Sequence, residues 1–179
     1  MTVVLATAQN PAEELFRYCC RLGIVTNTRT HPPVHTVAEA EDYWSDIGGI
    51  HTKNLFLKDA KDHLWLVSAP IARVIQFKHL PQQIGAKRLS FGRSDLLQEV
   101  LGVSPGAVSP FALLNDTARR VTLVLDAWMM EQPLLNFHPL VNTATTSIRP
   151  ADLLTFLHSC GHEPRLVRLD AVTTSEVGS

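Results

Sequence analysis

The sequence predicts a single α+β domain in which helices flank a mixed, curved, barrel-like β-sheet. Helical and extended patterns mix along the 179 residues without the strict strand–helix–strand rhythm of a parallel α/β fold. The clearest local signal is LFLKDAKDHLWLVSA at residues 55–69, where two apolar runs enclose a polar turn, as is typical of a β-hairpin. An apolar fraction of 45% in a chain of this length is enough for a hydrophobic core without disulfides.

The N-terminal part predicts a helix, an extended segment and a second helix. Apolar residues at helical spacing predict a first helix that begins at Pro11 and ends at Gly23. Two adjacent prolines favour an extended chain over residues 25–36, because proline disfavours helix at and before its own position. Residues 38–48 are expected to form a short helix that ends at Gly48.

The part after the hairpin predicts three further helices and three extended pieces. Ser94 resembles a helix N-cap, and Gly102 is a plausible stop for the same helix. The elements follow in the order helix 71–80, strand 88–91, helix 94–101, loop 104–116, strand 119–127, extended segment 133–139 and helix 149–161.

Cysteine use and hydropathy predict a soluble cytoplasmic protein with no membrane partner. The three cysteines are odd in number and two of them are adjacent, which argues against a secreted disulfide framework. No apolar run approaches the roughly 18–20 residues that span a bilayer, and no signal peptide is visible at the N-terminus.

Charge is unevenly distributed along the chain. Residues 51–100 carry eight Lys and Arg against four Asp and Glu, although the whole chain has a net charge of −1. This local excess favours a focused site for an anionic ligand, and an ordinary solvated face is the alternative. We expect five basic residues of this part to contact an anionic partner: Lys58, Lys61, Lys78, Lys87 and Arg88.

Two motifs suggest chemistry that their context argues against. Residues 102–106 match G-x-S-x-G around Ser104, but a predicted helix precedes this serine, whereas a nucleophile elbow needs a strand before it and a helix after it. His158 and His162 have the spacing of metal ligands on a helix, but Gly161 interrupts that helix and no paired cysteine motif accompanies them. We therefore expect neither a serine hydrolase nor a metal site.

Three other features could bind an anion or a carbonyl oxygen. The loop from Gly106 to Pro110 has the pattern G-x-x-x-P, in which successive backbone N–H groups could point at one oxyanion. Lys53 follows a flexible glycine turn at the start of a strand. His138 lies between Asn136 and Asn142 in a polar cluster after an apolar strand. Each feature alone is more typical of a connecting loop, a solvated lysine or a turn.

Together the motifs resemble the YbaK/prolyl-tRNA synthetase-associated editing domain family. The resemblance rests on G-G-x-x-x-K-N-L-F-L-K-D, H-L-W-L-V, G-V-S-P-G-A-V-S-P-F-A-L and N-F-H-P-L-V-N-T-A-T-T, in this order. It covers about residues 10–167 and implies one editing domain over 1–179, with a flexible tail at about 171–179. The last motif, with D-L-L-x-F-L and G-H after it, is most similar to free-standing alanyl-tRNA(Pro) deacylases, the ProXp-ala or PrdX-like proteins.

The resemblance implies hydrolysis of the ester between a wrong amino acid and the 3′-terminal adenosine of tRNA, with no metal and no other cofactor. It implies the acceptor stem and 3′ end of tRNA(Pro) as a partner, and it allows prolyl-tRNA synthetase as a second one. Matching the motifs residue by residue assigns the reaction to Lys53, Gly106, Ala107, Val108, Ser109, Pro110 and His138. Asn136 and Asn142 are expected beside the substrate.

The amino-acid pocket is the part that the motifs leave open. A site that spares prolyl-tRNA(Pro) must exclude the larger ring, so bulky residues are expected in its wall. Candidates are Phe91, Phe111 and the stretch Trp128–Met130. Two alternatives remain: a cysteinyl-tRNA(Pro) deacylase, and a tRNA- or synthetase-binding module without activity.

Overall fold

The computed structural model describes residues 10–33 and 43–169. It contains a mixed β-sheet, four α-helices with defined bounds in these residues, and two short 3-10 helices. The helices are α1 (Pro11–Arg21), α2 (Leu80–Ile84), α3 (Ser94–Leu101) and α4 (Pro150–Ser159). The 3-10 helices are Pro110–Leu114 and Met129–Glu131. The strands are β1 (Asn27–Thr30), β2 (Ile50–Asp59), β3 (Leu64–Pro70), β4 (Leu89–Phe91), β5 (Val121–Asp126), β6 (Leu135–Phe137), β7 (Ala144–Ile148) and β8 (Arg165–Val167).

The sheet confirms the predicted α+β class and its mixed character. The strand order is β1-β7-β6-β2-β3-β5-β8, and β4 pairs with β2 outside this path. The pairs β2/β3, β2/β4, β6/β7 and β1/β7 are antiparallel, whereas β2/β6, β3/β5 and β5/β8 are parallel. No pairing among the described strands joins β1 to β8, so the sheet is open and the barrel-like closure expected from the sequence is not formed by these strands.

Both faces of the sheet are covered, which explains why β3 is buried along its whole length. Leu64 and Leu66 of β3 pack into the larger cluster with α1, α3 and α4. Trp65 and Val67 face the other way, into a smaller cluster with Leu80 of α2. A strand buried on both faces has apolar residues in succession instead of an alternating pattern, and LWLV has this composition.

The helix predicted over residues 71–80 is wrong. The described chain has turns over most of this segment, and the helix begins only at Leu80. Pro81 has no N–H to donate, so it fits the first turn of a helix but not its interior. The carbonyl groups of Ile71 and Arg73 accept hydrogen bonds from Lys53, which takes them out of a helical pattern.

Other expectations are confirmed or corrected in detail. Gly102 ends α3 in the left-handed conformation as predicted, but Arg93 occupies the N-cap position and Ser94 is the first helical residue. Strands β7 and β8 were not predicted. The helix expected over 38–48 lies partly outside the described residues, with Tyr43 and Trp44 helical, and the tail at 171–179 lies outside them entirely.

Candidate functional site

The G-x-x-x-P loop and the His138 segment are held together by a direct hydrogen bond. Ser109, which is fully buried, donates its hydroxyl to the backbone carbonyl of His138 at 2.7 Å. Gly106 has φ +90°, and a Cβ there would stand 3.9 Å from Nδ2 of Asn142. The loop therefore lies against both ends of the segment from 138 to 142, although 29 residues separate Ser109 from His138 in sequence.

The turn after His138 is itself strained. Leu140 has φ +66°, a left-handed conformation that is uncommon for a residue with a branched side chain. Its side chain is buried in the larger apolar cluster, which holds the turn in place. Strain of this kind collects at functional sites, where the surrounding structure enforces it. No sequence signal marked Leu140.

The ring of His138 is fixed by the backbone and half-buried. Its Nδ1 lies 2.8 Å from the carbonyl oxygen of Ala144, which orients the imidazole. Burial lowers the pKa of His138, and the nearby His31 ring, whose centroid is 6.1 Å away, adds to the lowering. This arrangement favours a neutral imidazole at position 138.

A small recess lies in front of His138. It is lined by Trp44, His51, Thr52, Asn136, Phe137, His138 and Thr145. The recess leaves about 10 Å³ for the centre of a water-sized molecule, which is room for about one water. Trp44 Nε1, buried here, lacks a hydrogen-bond partner in the part of the chain that the structure describes. Since buried donors are normally paired, this N–H is available to a ligand or water.

His51 and Asn136 also line the recess. The His51 ring stacks on Trp44 with centroids 4.4 Å apart, and burial lowers the pKa of His51. The Asn136 amide donates to the Gly48 carbonyl at 3.0 Å and accepts from Ser147 Oγ at 2.6 Å. Asn136, predicted to bind substrate, thus uses both ends of its amide within the protein, on the segment before β2 and on β7.

Lys53 lies on β2, opposite Ala69 of β3. Its ammonium group donates to the carbonyl oxygen of Ile71 at 3.2 Å and to that of Arg73. Burial lowers the pKa of Lys53. An ammonium group has three donors, so two bonds to carbonyls fix its position and leave one N–H for a ligand.

The segment that holds Lys53 is itself anchored. Arg73 Nε donates to the fully buried carboxylate of Asp126 at 2.9 Å, and its guanidinium lies 5.8 Å from the centroid of the Trp128 ring. The other Asp126 oxygen accepts from the Trp128 backbone N–H. Sequence reasoning missed Arg73 and Asp126, because both belong to elements whose contact appears only in the fold.

The bulky residues expected in the amino-acid pocket lie in three different places. Phe111 is fully buried in the core, edge-on to Phe137 and Phe156, so it offers no surface to a ligand. Phe91 is 63% exposed and pairs with Leu57, about 13 Å along β2 from Lys53 at a strand rise of about 3.3 Å per residue. Of the stretch 128–130, Met129 is buried, whereas Trp128 lines a cleft with Pro70, Ala72 and Arg73.

Four of the five expected basic contacts, Lys61, Lys78, Lys87 and Arg88, are exposed on the surface. Lys58 forms an ion pair with Asp62 at 2.7 Å. Lys61 belongs to the β2–β3 turn, and Lys87 and Arg88 precede β4, which pairs with the same end of β2. The structure therefore gathers most of this charge at the end of β2 away from His51.

The two motifs judged unfavourable in sequence are unfavourable in structure. Ser104 follows α3 in a turn closed by the Ala107 N–H and the Ser104 carbonyl, which is not a strand–turn–helix elbow. His158 is exposed beside Glu163, whereas His162 is buried near the Asp116 carboxylate. Residues 10–33 and 43–169 contain no group of three or more His, Cys, Asp or Glu able to hold a metal ion.

The fold and this arrangement belong to a known class of domain. Residues 31–156 match the aminoacyl-tRNA editing domain, and the chain is a member of that family. Editing is the hydrolytic removal of a wrongly attached amino acid from tRNA, so the family is one of tRNA-acting deacylase domains. Within the described residues, no helix is long and apolar enough to cross a membrane.

Individual relatives are consistent with this membership. The chain is 40% identical over 160 residues to the prolyl-tRNA synthetase associated domain-containing protein 1 of Danio rerio, covering 88% of this chain and 87% of the relative. It is 36% identical over 140 residues to the prolyl-tRNA editing protein ProX of Acetoanaerobium sticklandii, covering 78% and 85%. A crystal structure described as a candidate trans-editing enzyme for prolyl tRNA synthetase shares the fold, with a TM-score of 0.65, 16% identity and coverage of 90% and 98%.

Proposed function

We propose that this chain is a trans-editing deacylase that hydrolyses mischarged alanyl-tRNA(Pro) to alanine and tRNA(Pro). The observation that carries the proposal is the hydrogen bond from Ser109 to the His138 carbonyl, which joins the G-x-x-x-P loop to the His-Pro segment. The names of the relatives, which refer to prolyl-tRNA editing and to prolyl-tRNA synthetase, support tRNA(Pro) as the substrate.

The chemistry needs oriented donors more than a nucleophilic side chain. An aminoacyl ester is already activated, so the reaction chiefly requires stabilisation of the oxyanion that forms when water attacks the carbonyl carbon. Backbone N–H groups of residues 106–110 would donate to that oxygen, as preorganised donors do in other acyl-transfer sites. A ribose hydroxyl of the substrate would position the water.

Lys53 would bind the anionic 3′ end of the tRNA. Its ammonium group is held by two carbonyl oxygens, so its position is set before the substrate arrives. Preorganisation lowers the entropic cost of binding. His138, neutral and oriented by the Ala144 carbonyl, would form one side of the substrate pocket.

The choice of alanine over proline would rest on size exclusion. A missing methylene changes binding by only about 1–3 kcal/mol, so a smaller substrate is not selected by tighter binding. The recess in front of His138 has room for about one water. A recess this small would admit a methyl group more readily than a pyrrolidine ring.

The proposal is tested with tRNA(Pro) charged separately with alanine, serine, cysteine or proline. We expect alanyl-tRNA(Pro) to be hydrolysed fastest, the seryl ester more slowly, the cysteinyl ester more slowly still, and the prolyl ester to be stable. Rapid loss of the prolyl ester would contradict size exclusion. A clear preference for cysteine would identify a cysteinyl-tRNA(Pro) deacylase, and loss of none of the esters would identify a binding module.

The same assay with Ser104→Ala separates the backbone-loop mechanism from a serine hydrolase. Because Ser104 lies in an exposed turn after a helix, we expect its removal to change the rate less than threefold. An inactive but folded Ser104→Ala protein would overturn the mechanism proposed above.

A further inference from the structure

Two exposed aromatic side chains lie next to each other outside the site described above. Phe77 is 42% exposed and Phe91 is 63% exposed, and their ring centroids are 5.2 Å apart. Phe77 belongs to the irregular segment before α2, and Phe91 ends β4. We call this pair the aromatic platform. Apolar rings that remain in water after folding often mark a surface with a partner.

The platform lies on the same face of β2 as Lys53. Phe91 is the register partner of Leu57, and partners in a sheet project to the same face. Lys53 and Leu57 are four residues apart on β2, so they also share that face. The distance along the strand between them is about 13 Å at about 3.3 Å per residue. Between Lys53 and the platform, Leu57 is covered by the smaller cluster with Leu80, so a chain bound at Lys53 passes over this covering segment, to which Phe77 belongs, to reach the platform.

Gly92 is what allows the platform to form. A Cβ at this position would stand 2.3 Å from Cδ1 of Phe56, so any larger residue would push the end of β4 away from β2. The Gly92 N–H donates to the Phe56 carbonyl at 2.9 Å, which fixes the end of the strand beside Phe91. The exposed ring is therefore held in place by the backbone.

Three exposed basic residues lie close in sequence to the two rings of the platform. Lys78 follows Phe77 directly, and Lys87 and Arg88 precede β4; all three are exposed. Within the described residues none of the three forms an ion pair. Exposed aromatic rings for stacking combined with basic side chains are the pattern of surfaces that bind single-stranded nucleic acid. An apolar protein partner would not need this charge.

We propose that Phe77 and Phe91 stack the unpaired bases of the tRNA 3′ end while its terminal ester lies near Lys53 and the 106–110 loop. This inference rests on the proposed function for its substrate, and it assigns to Phe91 a role different from a wall of the amino-acid pocket. Lys78, Lys87 and Arg88 contact the phosphates that follow the stacked bases.

The test measures binding of uncharged tRNA(Pro), which does not depend on hydrolysis. We expect Phe91→Ala and Phe77→Ala each to weaken binding by about tenfold, because base–aromatic stacking supplies such a factor per base. Phe91→Trp, which keeps a stacking surface, should bind within about twofold of wild type. Leu166→Ala is the matched control, since Leu166 is 52% exposed on β8 and lies outside the platform.

Two further measurements distinguish loss of base stacking from loss of catalytic activity. A 2-aminopurine placed in the unpaired 3′ end should be quenched by wild type and by Phe91→Trp, and not by Phe91→Ala. Hydrolysis of a minimal substrate, the alanyl ester of adenosine, should change little in Phe91→Ala, because this ester lacks the unpaired bases that precede the terminal adenosine. A protein that binds tRNA through the platform and hydrolyses no ester would refute the proposed function and leave this inference standing.

Unchanged tRNA affinity in both alanine variants would overturn the inference. If the same variants instead abolish self-association in sedimentation or binding to purified prolyl-tRNA synthetase, with tRNA affinity unchanged, the platform is a protein-docking surface and the inference is also wrong. Because Phe91 is 63% exposed, Phe91→Ala should leave the thermal unfolding midpoint near that of wild type.

Discussion

The two ends of β2 carry lysines in opposite environments. Lys53, near one end, donates to two backbone carbonyls, and burial lowers its pKa. Lys58, near the other end, is 40% exposed and forms an ion pair with Asp62 one turn away in the hairpin. Lys53 is therefore suited to orient a bound anionic group. Lys58 is suited only to weak attraction of an anion, since exposed charges are screened by salt and water.

Substitution of the two lysines gives the largest expected contrast. Lys53→Ala should lower the kcat/KM of alanyl-tRNA(Pro) hydrolysis at least about tenfold, because a hydrogen bond to a charged group contributes about 1.5–3 kcal/mol. Lys58→Ala, on the same strand, should lower it less than about threefold, because an exposed charge is screened by water and salt. Equal falls in kcat/KM for the two variants would show that the fixed position of the Lys53 ammonium group is unimportant.

A second comparison concerns two glycines with positive φ, one in the 106–110 loop and one outside the site. Gly106→Ala forces a Cβ into φ +90°, so we expect a loss of about 1 kcal/mol in unfolding free energy and a fall in kcat of about tenfold as the donors move. Gly23→Ala is the control, because Gly23 also has positive φ, +69°, and meets nothing within 4 Å.

The control should show the stability loss without the fall in kcat. Both quantities are measured on the same preparations, by urea unfolding and by initial rates of deacylation. If Gly106→Ala keeps full activity, the loop does not supply the donors proposed for the oxyanion.

Acid should destabilise the folded protein through the two histidines that line the recess. Burial lowers the pKa of His51 and of His138 below the ordinary value of 6.5. The unfolded chain therefore takes up protons at higher pH than the folded one, and stability rises with pH in this range. The contribution is complete above about pH 6.5 and is lost as the pH falls through the lowered values.

Urea midpoints measured from pH 7.5 down to pH 5 check this direction. We expect the wild-type midpoint to fall with acid, and to fall less in the double variant His51→Gln/His138→Gln. A double variant with the wild-type pH profile would exclude these two histidines as the cause.

The salt dependence of tRNA affinity is the smallest expected effect. It concerns the exposed basic residues, most of which lie at the Lys58 end of β2. Each phosphate contact that is lost should flatten the slope of log affinity against log salt by roughly one unit. The substitutions are to alanine at Lys58, Lys61, Lys78, Lys87 and Arg88, one at a time. Arg17→Ala is the control, because Arg17 is exposed on α1 beside Glu13. An unchanged slope in all five would make this charge an ordinary solvated face.

Prediction from the sequence succeeded where local signals were strong. It failed where contacts with residues far away in sequence decide the local structure. The hairpin, α1 and the stop of α3 at Gly102 follow from periodicity and from glycine chemistry. The helix expected over 71–80 failed, since Lys53 and Asp126 hold that segment through contacts 18 to 53 residues away. Phe111 and Phe91 were indistinguishable as bulky residues, yet one is in the core and the other in solvent.

The sequence by itself determined the α+β class, the ordered motifs of an editing domain and the segments in which Lys53, Gly106 and His138 lie, because these depend on residue type and spacing. Tertiary structure alone decided that Ser109 is bonded to His138, that Asn136 bonds Gly48 and Ser147, and that Phe77 contacts Phe91. Those contacts join residues 11 to 88 positions apart. The sheet register and the loops that it positions bring such residues together, and no local pattern encodes that register across the whole chain.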